Sequence, residues 1–257
     1  MEIQGTHFLI TGANRGIGLA VAKMAASYSS HLYLVMRNKD ETLKSELLEL
    51  GASSVSIFTA DFSQRDSIED LVKAISNFPI DIIFNNAGQL TGGLLEEQPL
   101  DDIYSMFQVN VIALVHLTRG VLPGMIKRGR GKIINNSSVS AFMHFPCAST
   151  YAASKASVVA FTDSLNAELN GTGVTTLCLV TPGIKTRMFD EIEGKYGKNF
   201  NMPLEFISPE EYASLIKEAI LCDKIYLYPK GSTAVGLGLA VHFPSLFYRL
   251  VGRYFKR

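Results

Sequence analysis

Residues 11–18 read TGANRGIG, directly after the apolar run HFLI at 7–10. Three glycines and an arginine in eight positions give the backbone unusual freedom where a strand hands over to a helix. In such a turn Gly12 permits the tight reversal, Gly16 lets the chain approach a phosphate, and Gly18 lets the helix lie close on the strand. The amide end of that helix offers N–H groups and partial positive charge to an anion. The spacing Gly-x₃-Gly-x-Gly differs from the commoner G-x-G-x-x-G, so alone it is a weak signal, readable as a merely permissive turn. Its place in the first strand–helix unit favours the cradle.

Working outward, short apolar runs alternate with segments of helical period. HFLIT (7–11) reads as a strand, and Ile17, Ala20, Val21, Met24 and Tyr28 then recur on one helix face. HLYLVM (31–36), SVSIFTAD (54–61), IDIIFNNAG (80–88), GKIINNSS (131–138), GVTTLCLVTPG (173–183) and KIYLYP (224–229) supply further strands. Helices are expected between them, notably from about Leu100 to Lys127 and from Tyr151 to about Asn170. Asp40 is placed to cap the helix after the second strand, and Ser208, Pro209 and Glu211 form a capping box. Continuously apolar strands joined through helices imply an α/β fold, a doubly wound parallel sheet of about seven strands in a single domain. The alternation stops at Gly183, and residues 184–207 read as a loop or lid. An apolar and basic extension follows at 231–257.

Bulk properties narrow the function. With 47% apolar and 19% charged residues, the 257-residue chain can bury one large core and is not disordered. Twenty-four cations balance 24 acids, so no global charge points to nucleic acid. Cys147, Cys178 and Cys222 are odd in number and widely spaced, fitting neither a disulfide framework nor a metal site. A reduced, cytoplasmic setting is expected. MEIQGTHFLITG runs straight into a strand, leaving no room for a signal peptide. No run of 18 uncharged apolar residues suggests a spanning helix.

Polar clusters mark the strand ends. NNAG (85–88) closes the fourth strand, Ser137 and Ser138 close the fifth, and YAASK (151–155) opens a helix. In an open parallel sheet, ligands bind beyond the carboxyl ends of the strands, so these clusters converge on one crevice. Tyr151 and Lys155 are spaced i, i+4 and share a helix face. A neighbouring ammonium favours the phenolate and makes the phenol a usable acid or base, while Ser138 is placed to polarise a carbonyl oxygen. Taken singly, each residue reads as blandly as a solvent-facing helix side chain or a cap.

In this order and spacing, TGANRGIG, NNAG, Asn110 within VNVIALVHLTRGVLPGM (109–125), GKIINNSS and YAASK resemble the short-chain dehydrogenase/reductase family. The resemblance spans roughly residues 5–185 and continues more loosely to Pro229, making 1–230 the catalytic domain. It implies a Rossmann-type fold, a nicotinamide cofactor and hydride transfer between an alcohol and a carbonyl. It also implies Tyr151 as acid/base, Lys155 as the group that lowers its pKa and binds the nicotinamide ribose, Ser138 as substrate-orienting hydroxyl, and Asn110 as holder of a relay water. Gly12, Asn14, Arg15, Gly16, Ile17 and Gly18 would line the cofactor phosphates. Asp61 and Phe62 would line its adenine, and Asn86, Ala87 and Gly88 its ribose. Pro182, Gly183, Ile184 and Thr186 would face the nicotinamide carboxamide. The chain departs from the pattern at Ala141, at Phe62, and in PGIKT (182–186), which is one residue short.

Cofactor choice turns on the second strand. An NAD enzyme wants an acid at its end, but this strand ends LVMRNKD, with Met36 in that position and Arg37 next. Arg15 and Arg37 are placed to flank a ribose 2′-phosphate, which points to NADP(H) over NAD(H) and to reduction. Phe142, His144, Met188 and Phe189, together with Ser138 and Tyr151, would line the substrate pocket. The mostly apolar lining favours a lipophilic ketone, aldehyde or secondary alcohol of steroid, retinoid or acyl-chain kind. A 3-oxoacyl-carrier-protein reductase is one alternative, and a non-catalytic NADP(H)-sensing regulator is another. The tail 244–257 combines apolar residues at helical spacing with four cations and no acid. It reads as a peripheral membrane contact, or else as a helix docked over the pocket or against another subunit. A homo-oligomer, dimer or tetramer, is expected.

Overall fold

Runs of buried apolar side chains build the sheet: β1 (His7–Thr11), β2 (His31–Met36), β3 (Ser54–Thr59), β4 (Ile82–Asn85), β5 (Gly131–Asn136) and β6 (Val174–Leu179). The computed structural model describes residues 1–185 and 206–257. A two-residue pair, β7 (Gly183–Ile184) with β8 (Phe206–Ile207), stands apart, and β9 (Tyr226–Leu227) closes the main sheet. The main sheet is seven-stranded and parallel, in the order β3-β2-β1-β4-β5-β6-β9. The chain reverses its direction of travel between β1 and β4, which fixes the crevice where a ligand binds in such sheets.

Helices cover both faces, as continuously buried strands require. On one face α1 (Gly16–Ala26), α2 (Glu41–Glu49) and α7 (Pro209–Leu221) pack Val21, Leu47 and Ile216 against Phe8, Leu34 and Phe84. On the other, α3 (Arg65–Ile75), α5 (Ala113–Arg128) and α6 (Ser149–Glu168) set Ile68, Leu117 and Leu165 against Leu9, Val35 and Ile133. Asp40 caps α2, accepting the Leu43 N–H at 3.0 Å, and Ser208 caps α7, accepting the Glu211 N–H at 3.0 Å. The chain forms a single α/β domain of Rossmann fold.

Element ends differ from the pattern-based expectation. The third strand stops at Thr59, so Asp61 lies in the following turn; the seventh shrinks to a two-residue edge pairing. The helical run beginning at Leu100 is interrupted. α4 (Leu100–Phe107) passes through a π-helical turn, Gln108–Ile112, before α5. Hydropathy would let the whole run Leu100–Arg128 cross a membrane, yet its Met106, Leu114, Leu117, Val121 and Met125 are buried in the domain.

The C-terminal extension folds back as α8 (Gly231–His242) and α9 (Pro244–Val251). Leu237, Ala240, Phe247 and Val251 join Met143 and Val180 in a third apolar cluster, with Phe142 and Phe145 packed against it. The inner side of this hairpin thus packs on the 139–145 segment.

At the opposite, amino-terminal pole of the sheet, His7 and His31 are register partners on β1 and β2 with rings stacked 4.4 Å apart. Burial, then the charge of His31, hold His7 below its ordinary 6.5, against an opposing pull from Asp81. The fold thus favours neutral His7. The stability this gives is complete above the unfolded-state value and is lost as pH falls through the folded one. Urea midpoints taken between about pH 7.5 and pH 5 should fall more steeply for the native protein than for His7→Gln. Equal slopes would mean that the histidine pair does not sense protons.

Candidate active site

Thr11 ends β1 and organises the crevice. Its buried hydroxyl donates to the Phe84 carbonyl at 3.2 Å and accepts the N–H groups of Asn86 at 2.9 Å and Ala87 at 3.0 Å. Asn86 reaches back through Nδ2 to the Thr11 carbonyl at 3.0 Å, and its Oδ1 accepts Asn136 Nδ2 at 3.0 Å. Its side chain therefore stitches the ends of β1, β4 and β5 together.

Gly12 (φ +65°) and Gly16 (φ +55°) occupy left-handed backbone, as the tight turn requires. A Cβ on Gly18 would lie 2.2 Å from the Gly12 carbonyl oxygen, so α1 sits directly on the turn. No side chain caps α1 and its first turn holds no acid, leaving the amide end without a side-chain acceptor. That arrangement fits an anionic dinucleotide. Asn14 and Arg15 are exposed beside it, with Ile17 half-buried. Across the turn, Arg37 is exposed beyond β2, close enough to Asp61 to help hold its carboxyl below the usual range, after the hydrogen bonds from Ser63. Asp61 accepts the Ser63 N–H at 2.9 Å and hydroxyl at 2.8 Å. Phe62 buries its ring in the core with α3 and α5.

The fifth strand and α6 bring the reactive candidates together. Ser138 starts a single 3₁₀ turn, accepts the Ser140 N–H at 3.1 Å, and hydrogen-bonds the Tyr151 phenol. One turn along α6, Lys155 Nζ lies 5.8 Å from the Tyr151 ring centroid and donates to the Asn136 carbonyl at 2.8 Å. Ser137 anchors this turn by donating to the Lys155 carbonyl at 2.8 Å. Gly88 faces both Asn110 and Lys155: a Cβ there would lie 3.5 Å from Asn110 Oδ1 and 3.8 Å from Lys155 Nζ. Asn110 sits inside the π-helical turn, a distortion that recurs at functional sites. It accepts the Gln89 N–H at 2.7 Å and donates to the Gln89 carbonyl at 2.8 Å and to Ser154 Oγ at 3.1 Å.

Burial, more than pairing, sets the proton affinities. It pushes the Tyr151 phenol up to about 12, partly offset by the Ser138 hydrogen bond. Desolvation also lowers the Lys155 ammonium to about 8. Desolvation of the phenolate, which the attraction expected from the Lys155 ammonium does not offset, sets the direction for Tyr151.

To Thr181, in the TPG turn whose resemblance implies contact with the carboxamide, the structure adds Tyr212, which no motif flagged. Thr181 hydrogen-bonds both Asn136 Oδ1 and, at 2.9 Å, the buried Tyr212 hydroxyl, tying α7 to the carbonyl that holds Lys155. The one available signal was the position of Asn136 beside the serine pair. Pro182 and Gly183 follow half-buried, with Ile184 buried. On the apolar wall, Phe142 is half-buried. His144 is exposed, its Nδ1 2.7 Å from the Tyr248 hydroxyl of α9. Thr186, Met188 and Phe189 lie outside the described residues.

The family model described as short chain dehydrogenase matches residues 6–197. An uncharacterized oxidoreductase of Bacillus subtilis, YusZ, is 32% identical over 93% of this chain and 92% of its own. A fatty acyl-CoA reductase of Acinetobacter baylyi is 34% identical over 86% of this chain and 74% of its own. Among solved structures, a short-chain dehydrogenase from Sphingobium yanoikuyae in complex with NADPH superposes with a TM-score of 0.78. That pair is 26% identical, covering 96% of this chain and 93% of the other.

Because the Gly18 methylene faces a main-chain oxygen that cannot rotate away, Gly18→Ala should cost about 1–3 kcal/mol in urea unfolding. It should also weaken dinucleotide binding measured by nicotinamide fluorescence. Unchanged stability and binding would show that α1 does not rest on the glycine turn.

Proposed function

Because this chain belongs to the short-chain dehydrogenase family, whose Rossmann fold binds a nicotinamide cofactor, we propose that it is an NADPH-dependent reductase of lipophilic carbonyl compounds. The observation that carries this reading is the meeting of Tyr151, Ser138 and Lys155 at the carboxyl end of β5. When bound, the reduced dinucleotide supplies a hydride to the carbonyl carbon. Ser138 holds the carbonyl oxygen, and Tyr151 gives that oxygen its phenolic proton, completing the alcohol. Lys155 stabilises the phenolate that remains, and Asn110 holds the relay that returns the proton. A phenol that burial keeps protonated is already the acid that reduction needs, whereas alcohol oxidation would first have to remove that proton.

NADPH over NADH is supported by charge. Arg15 and Arg37 are exposed on either side of the turn, β2 ends in buried Met36 rather than an acid, and the nearest carboxylate along the chain, Asp40, is occupied in capping α2. An apolar substrate is supported by the Phe142, Met143 and Phe145 wall and its helical roof. Similarity to a fatty acyl-CoA reductase supports an acyl-chain carbonyl among these.

Tyr151→Phe should lower turnover of a long-chain ketone or aldehyde about 10²–10⁴-fold while leaving NADPH binding nearly unchanged. Activity that survives this change would exclude Tyr151 as the proton donor. In parallel assays NADPH should give the higher kcat/KM, and Arg37→Ala should raise its KM about tenfold without touching NADH. A native preference for NADH would overturn the cofactor assignment.

A further inference from the structure

The outer face of the α8–α9 hairpin has no part in the chemistry above, and it combines exposed apolar side chains with arginines. Val235 (74% exposed) and Phe243 (64%) stand out to solvent, with Val241, Leu246 and Leu250 also exposed. Gly238, one helical turn after Val235, faces open space, so nothing in the domain covers this side of α8. On α9, Leu246, Arg249 and Leu250 recur at i, i+3, i+4 on the side away from buried Phe247 and Val251, and Arg253 follows the helix end. Arg249 and Arg253 form no ion pair among the described residues.

Charge is segregated along the chain to match. From Lys224 to Arg257 there is no acid, although the whole protein is neutral. Exposed aliphatic and aromatic groups with arginines interleaved are what an interfacial helix presents to lipid: the apolar groups enter the headgroup boundary and the guanidinium groups stay with the phosphates. Tyr254, also exposed, suits the same depth. A second copy of the chain fits this face less well. A two-fold contact would bring Arg249 and Arg253 of both copies together, with no acid of the same segment to pair them.

We propose that the α8–α9 hairpin is a docking surface for an anionic lipid bilayer. The proposal does not depend on the catalytic reading.

Flotation of the full-length protein with phosphatidylcholine vesicles, with and without about a third phosphatidylserine, tests it at near-physiological salt. The native protein should float with the anionic vesicles. A Phe243→Ser/Leu246→Ser/Leu250→Ser variant should stay in the soluble fraction with both, and Arg249→Glu/Arg253→Glu should lose roughly tenfold or more of the anionic partitioning. All five positions are exposed, so circular dichroism and the thermal midpoint should match the native protein. Full recovery of the native protein in the soluble fraction overturns the proposal. So does flotation that the variants leave intact. Light scattering that shows a dimer dissolved by the same substitutions, without flotation, assigns the face to contact between copies.

Discussion

The buried hydroxyl of Thr11 holds the functional end of the molecule together. One oxygen links the last residue of β1 to the carbonyl of Phe84 and to the amides of Asn86 and Ala87. These groups lie at the point where the sheet reverses its winding, where two strands part and a crevice must open. Parting strands leave amides without ladder partners, and each left unsatisfied costs about 1–3 kcal/mol. Thr11 satisfies two of them and lets β1 and β4 diverge without leaving the crevice floor unpaired. Asn86 and Asn136 extend the stitching to β5, so the glycine turn and the carbonyl that receives Lys155 belong to one rigid floor.

That floor explains the state of the reactive side chains. Lys155 is buried and Tyr151 half-buried, and desolvation moves their proton affinities in opposite directions, the phenol up and the ammonium down. The Asn136–Thr181–Tyr212 bonds carry the same floor into α7, so the elements beyond β6 are not a passive cover.

The sequence made much of this legible because apolar period and glycine placement are local signals. The alternation from HFLIT to GVTTLCLV set out the parallel sheet, and Asp40 and Ser208 announced their caps through short-range chemistry. Strand ends were less legible, since they depend on partner strands: the last pairing extends over Tyr226–Leu227 alone. The π-helical turn at Asn110 carries no Gly or Pro to mark it, and its Asn110 side chain bonds Gln89 and Ser154 on other segments. Burial of Tyr151 and Lys155 arises only when β5, α6 and the following loops meet. The spacing i, i+4 put the pair on one helix face but carried no signal of the desolvation that raises the phenol.

The order of elements along the chain has a consequence for how the protein is made. The glycine turn, Thr11, Asn86 and the Tyr151–Lys155 pair are synthesised before α7, β9 and the hairpin that roofs Phe142 to Phe145. Domains emerging from the ribosome fold from the amino terminus onward. The nascent chain can therefore assemble its crevice floor while Met143 and its neighbours still lack their cover. An apolar segment exposed at that stage is open to chaperones and to premature association until α8 and α9 cover it. The hairpin thus shields Met143 during synthesis as well as in the finished core.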